Sequence, residues 1–178
     1  MQILLCSAFN IFSGDYMKLF LRRDTSKESS RFIICDEQGA DKYSVSGKRT
    51  ASTDRMTICN TEGMPVVTVR VAPFHVFYAF SISDGHERFT MTATRMGNKV
   101  EFRFHGISWS LCQSCDLRSF EIIDADKSVV MLQSADRFLS TGALELTVYN
   151  EHRELFCIAA AICVNVLSLA DAAAAVTV

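Results

Sequence analysis

The chain has 178 residues, 49% of them hydrophobic and 21% charged, with a formal net charge of -2. That length suits one domain whose core buries roughly 70% of the unfolded surface, and the apolar share is too high for disorder. The lack of a basic excess argues against a nucleic-acid binder, and two prolines and eight glycines exclude collagen-like or low-complexity chains.

The first residues, Met1-Gln2-Ile3-Leu4-Leu5-Cys6, resemble a signal peptide only on the surface. They lack a basic flank, and Ser7 and Asn10 break the apolar run. Basic residues then gather at Lys18, Arg22, Arg23, Lys27 and Arg31, and again at Lys42, Lys48 and Arg49. Brought together by neighbouring strands, such groups can hold a phosphate or a lipid headgroup: Arg forks match phosphate oxygens and Lys adds charge. Asp15, Asp24, Glu28, Asp36, Glu37 and Asp41 lie among them, as on a solvated outer face with charged edges.

An internal repeat follows. Arg31-Phe32-Ile33-Ile34-Cys35-Asp36-Glu37-Gln38-Gly39 aligns without a gap on Arg55-Met56-Thr57-Ile58-Cys59-Asn60-Thr61-Glu62-Gly63, at an offset of 24 residues. One offset further on, Phe80, Ile82 and Asp84 keep the register and Gly85 follows. Phe120-Glu121-Ile122-Ile123-Asp124 repeats the pattern again. Each copy reads as a strand, an Asp or Asn turn, and a strand, because these residues and Gly tolerate the left-handed dihedrals of tight hairpins.

Period-two alternation supports strands. Phe89, Met91 and Ala93 share one face, as do Val100, Phe102 and Phe104, and Leu144, Leu146 and Val148. About twelve such runs fall between Tyr16 and Tyr149 at the spacing usual for all-β folds. So many short strands must close on themselves or form two sheets. Trp109, Phe74, Phe77, Tyr78 and Phe80 read as core, with an exposed aromatic turn at Pro73-Phe74-His75 as the alternative for Phe74.

The seven cysteines, Cys6, Cys35, Cys59, Cys112, Cys115, Cys157 and Cys163, are odd in number and sit mostly in apolar runs. This is no disulfide framework and favours a reducing, cytosolic compartment. Cys112-Gln113-Ser114-Cys115 is a lone CxxC in a predicted loop. Structural zinc needs four ligands, and His75, His86, His105 and His152 are scattered. Two ordinary loop cysteines, open to oxidation, fit better. Asp124-Ala125-Asp126 and Asp84-Gly85 lack the spaced oxygens of a calcium loop and read as hairpin turns. No nucleophile elbow, phosphate loop or metalloprotease motif is present, so neither catalysis nor a cofactor is expected.

The C-terminal segment differs. Asn150 is a plausible N-cap, Glu151 and Glu154 suit a first turn, and Leu155 to Ala170 is apolar all round. Those 16 residues make roughly 24 Å of helix, short of the ~30 Å of a hydrocarbon core. Extending the span to Val178 would enclose Asp171, and Asn165 and Ser168 are also unfavourable there. A strand of six or seven residues rises roughly 20–23 Å. The helix therefore fits the inside of a barrel better than a bilayer, with Ala159, Ala160 and Ala161 allowing close approach.

Strands followed by one apolar helix make the chain resemble the LURP-one-related and tubby C-terminal-like group, especially its short bacterial YxjI-like branch. The resemblance runs from about Tyr16 to Leu169. It rests on Phe32 to Gly39, on Tyr43-Ser44-Val45-Ser46-Gly47-Lys48, on Gly106-Ile107-Ser108-Trp109, on Ser119 to Asp124 and on the closing helix. It implies a mainly β protein: a closed antiparallel barrel of about twelve strands around a buried hydrophobic C-terminal helix. The helix of that group often carries an Asp near its middle, where this chain has Asn165. The organisation expected is an extension over residues 1–15, one barrel domain over 16–173 and a tail over 174–178. Tubby domains bind phosphoinositide headgroups and the related scramblases act at membranes. The resemblance thus implies a non-catalytic, cytoplasmic module docking on anionic phospholipid headgroups or membrane surfaces through Arg22, Arg23, Lys48 and Arg49. The alternative is a structural or protein-interaction barrel with no small ligand; nucleic acid is not an expected partner.

Overall fold

In the computed structural model, which describes residues 16–23, 30–49, 54–73, 77–97, 99–113, 118–135 and 143–175, the period-two runs are strands. They are β1 (Met17–Arg23), β2 (Ser30–Cys35), β3 (Asp41–Arg49), β4 (Asp54–Asn60), β5 (Pro65–Pro73), β6 (Phe77–Ser83), β7 (Arg88–Met96), β8 (Lys99–His105), β9 (Ser110–Gln113), β10 (Phe120–Ile123), β11 (Val129–Ala135) and β12 (Leu144–Val148). All belong to one sheet of 12 strands in the order β8-β7-β6-β5-β4-β3-β2-β1-β12-β11-β10-β9. The pairings are antiparallel, so short connections suffice for neighbours. The ends of the sheet, β8 and β9, share no ladder. Across that seam Gln113 donates from Nε2 to the Val100 carbonyl at 2.7 Å. The barrel is therefore nearly closed.

The 24-residue repeat is a repeated turn. Asp36 Oδ1 accepts from the backbone N–H groups of Gln38 and Ala40 at 3.0 and 2.8 Å. Asn60 Oδ1 does the same for Glu62 and Met64 at 3.1 and 2.9 Å. In both, a glycine of positive φ, Gly39 or Gly63, donates back to the residue that opens the turn. The turn at Asp124 has the same backbone bonds, but Lys127 holds the glycine position with a φ of 71°. A side chain there carries a left-handed penalty of about 1–2 kcal/mol, against which glycine costs about 0.5–1 kcal/mol of chain entropy. Lys127→Gly is expected to stabilise the fold by about 0.5–1 kcal/mol; a fall in the urea midpoint would contradict this.

The turns lie at one end of the barrel, where the chain also enters its interior. Asn150 accepts from the His152 N–H and caps a 3-10 turn, Glu151–Arg153, and not the α-helix itself. The helix α1 (Glu154–Ala175) follows. It runs past Ala170 because alanine, the best helix former, fills Ala172 to Ala175. Its all-round apolarity is explained by its surroundings. Ile158, Ala159, Ala160, Ala161, Ile162, Cys163 and Val164 have no exposed surface. Inward side chains of the strands, among them Leu19, Ile34, Ile58, Phe80 and Met91, join them in one core. Phe89 meets Phe156 edge-on at 5.2 Å and Trp109 at 5.8 Å, so the only tryptophan is core, as expected. Phe80 is buried, whereas Phe77 and Tyr78 are half-buried. Among the described residues no helix is long and apolar enough to cross a membrane.

Candidate functional site

Arg22, on β1, is not free to bind. Its guanidinium meets the Asp41 carboxylate at 2.9 Å, and that bond, with help from Cys35, raises its pKa further above the ordinary arginine value. The Cys35 thiol donates to the same carboxylate at 3.2 Å, and burial pushes its pKa up. Arg23 is exposed at the end of β1, opposite Phe32, which stands opposite Val45. Lys48 lies opposite Arg55 and Arg49 opposite Asp54; the side chains of Lys48 and Arg49 fall outside the described residues. By register the β1 pair and the β3 pair are two strands apart, and the β3 pair lies about 10 Å further along the barrel. Lys27, residues 1–15, Phe74, His75, Cys115 and residues 176–178 also lie outside the described residues.

The register assembles a second basic group that is scattered in the sequence. Lys48, Arg55 and Arg70 stand directly opposite one another on β3, β4 and β5. The row continues through Ser81, Thr90 and His105 on β6, β7 and β8. Arg55 and Arg70 are exposed, and no carboxylate among the described residues pairs with either. The flanking row, Ser46, Thr57, Thr68 and Ser83, is also hydroxyl-bearing. Nothing in the linear charge pattern marks this group. Placing the Asn60–Met64 turn would have revealed it, because Arg55 and Arg70 are nearly equidistant from that turn.

A cavity of about 220 Å³ opens at the turn end, where the helix enters, between Tyr43, Asp84, Glu87, Glu154 and Phe156. Two of its carboxylates are already matched. Arg153 pairs with Glu87, and Lys42 meets Glu154 at 2.9 Å. Burial, then the Glu154 charge, pushes the Tyr43 hydroxyl up to about 12. The Asp84 carboxyl is held below its usual value by the N–H groups of Glu87 and His86, which is the chemistry of a turn. Among the described residues no group of three or more His, Cys, Asp or Glu could hold a metal ion. Cys112 is exposed, and it lies on β9, not in the loop expected there.

The LURP-one-related family model matches residues 17–165, from the first strand into the helix. An X-ray structure of a protein from Arabidopsis thaliana superposes with a TM-score of 0.59 at 16% identity. The match covers 85% of this chain and 91% of the plant protein, and at that identity it speaks for the fold alone. No curated protein matches the chain. Family and nearly closed barrel are consistent with a non-enzymatic binding module. On a match that spans all twelve strands, the chain belongs to the LURP-one-related family.

Proposed function

We propose that this barrel is a non-catalytic binding module that docks on membrane surfaces rich in anionic phospholipid. The observation that carries the reading is the filled interior. Where a barrel of this size could hold a ligand, it holds its own helix, with residues from Ile158 to Val164 fully buried. Recognition then falls to the outer surface. There the exposed cations Arg55 and Arg70 sit on β4 and β5, with Lys48 added by register. The cytoplasmic leaflet supplies the matching negative potential. Free thiols at Cys35, Cys59, Cys112, Cys157 and Cys163 suit a reducing compartment.

Flotation of the full chain with vesicles tests this. Phosphatidylcholine vesicles containing phosphatidylserine are expected to carry the protein upward at low salt and to release it at high salt, as screening shortens the reach of charge. Phosphatidylcholine alone should not carry it. Absence of recruitment to the anionic vesicles at low salt would overturn the reading.

A further inference from the structure

From the cross-strand register we infer that the barrel docks side-on, through the outer wall of β3 to β6, with Arg55, Arg70 and Lys48 as the row that meets the phosphates of an anionic bilayer. This deepens the docking function proposed above and rests on it.

Three observations support this face. The first is the geometry of the row. Opposed residues on neighbouring antiparallel strands have Cβ atoms about 4.5–5.5 Å apart. Arg55 and Arg70 can thus present two forks to one phosphate, or one fork each to neighbouring phosphates. The second is its cost. Like charges directly opposite on a sheet repel, and here Arg55 faces a cation on both sides. Edge protection does not account for them, since β4 and β5 are interior strands and the edges are β8 and β9. An anion lying on the row removes the repulsion.

The third is the composition of the wall. Around the row stand Ser46, Thr57, Thr68, Ser81 and Ser83, which donate hydrogen bonds and carry no charge. Acidic side chains lie elsewhere. Asp36, Glu62, Asp84 and Glu87 are on the turns at the far end of the strands. Glu101 is on β8 and paired with Arg103 at 2.9 Å. Asp54 stands opposite Arg49 and Val71, off the row. The overall charge of -2 therefore hides a row whose charges are all positive, with Asp41 at the turn end of β3 and Asp54 off the row.

The test is flotation of the full chain on phosphatidylserine-containing vesicles at low salt, for the wild type, Arg55→Gln/Arg70→Gln and Arg22→Gln/Arg23→Gln. A cationic side chain at an anionic surface is worth about fivefold in partitioning. The wall variant is expected to bind about thirtyfold more weakly, and the β1 variant within about twofold of wild type. A further variant separates binding from folding. Arg55→Glu faces Lys48 and Arg70 with an opposite charge, so it should raise or preserve the melting temperature while abolishing flotation. If wild type binds and the wall variant binds equally well, side-on docking is overturned and the docking function stands. If wild type does not bind, the docking function itself is overturned. Loss confined to the β1 variant would assign the site to Arg22 and Arg23 and overturn the wall.

Discussion

An Ile158→Asp chain is expected not to fold into the barrel. Ile158 is fully buried, in the part of the helix that the strands surround. Removing the isoleucine side chain costs about 3 kcal/mol in lost burial and cavity. Placing an unpartnered carboxyl there costs about 3 kcal/mol more even when it is protonated. The sum, about 6 kcal/mol, reaches the lower end of an ordinary domain's stability of about 5–15 kcal/mol. Circular dichroism and size exclusion would show an expanded or aggregated species. Glu151→Gln, on the exposed approach to the helix, should leave both signals unchanged. If Ile158→Asp instead melted within about 1 kcal/mol of wild type, the helix could not be the barrel's core.

That expectation depends on how much of the architecture was legible. Strands were legible because one face of most is buried, which writes period two into Phe89, Met91 and Ala93 or into Leu144, Leu146 and Val148. Turns were legible because Asp36, Asn60 and Asp84 each cap backbone N–H groups two to four residues on. That is a local demand and so recurs at a fixed spacing. The helix was legible from apolarity too short for a bilayer, though its 3-10 entrance was not, since Asn150 would cap either helix type. The candidate surface was poorly legible. Closeness along the chain joins Lys48 to Arg49, whereas a sheet joins residues by register. Lys48, Arg55 and Arg70 become neighbours only through two successive hairpins. Arg22, conspicuous in sequence beside Arg23, is occupied by Asp41 from a strand that is not its ladder neighbour.

The same limit hid the contact between two buried amides, and it carries the second large prediction. Asn165 donates from Nδ2 to Gln133 Oε1 and to the Ala161 carbonyl, both at 2.8 Å. Gln133, on β11, is fully buried and donates in turn to the Arg118 carbonyl at 3.3 Å. This bond fixes both the rotation and the depth of α1 against β11, which an all-round apolar helix cannot do by hydrophobicity alone. Asn165→Leu would leave Gln133 Oε1 buried without a donor, at a cost of about 2–3 kcal/mol. Gln133→Leu would leave one Asn165 N–H without an acceptor, the other still donating to the Ala161 carbonyl, for a loss of about 1–2 kcal/mol. In Asn165→Leu/Gln133→Leu both polar groups are gone, and apolar replacement of a matched pair is close to neutral. The double variant is therefore expected to be more stable than either single one, a coupling of about 2 kcal/mol in a denaturant-unfolding cycle. Additive losses would show that the amides do not act as a pair. The double variant should also lose register specificity, seen as broadened side-chain methyl resonances from the inner end of α1, because the Lys42–Glu154 pair and the Phe89–Phe156 contact hold only its entrance end.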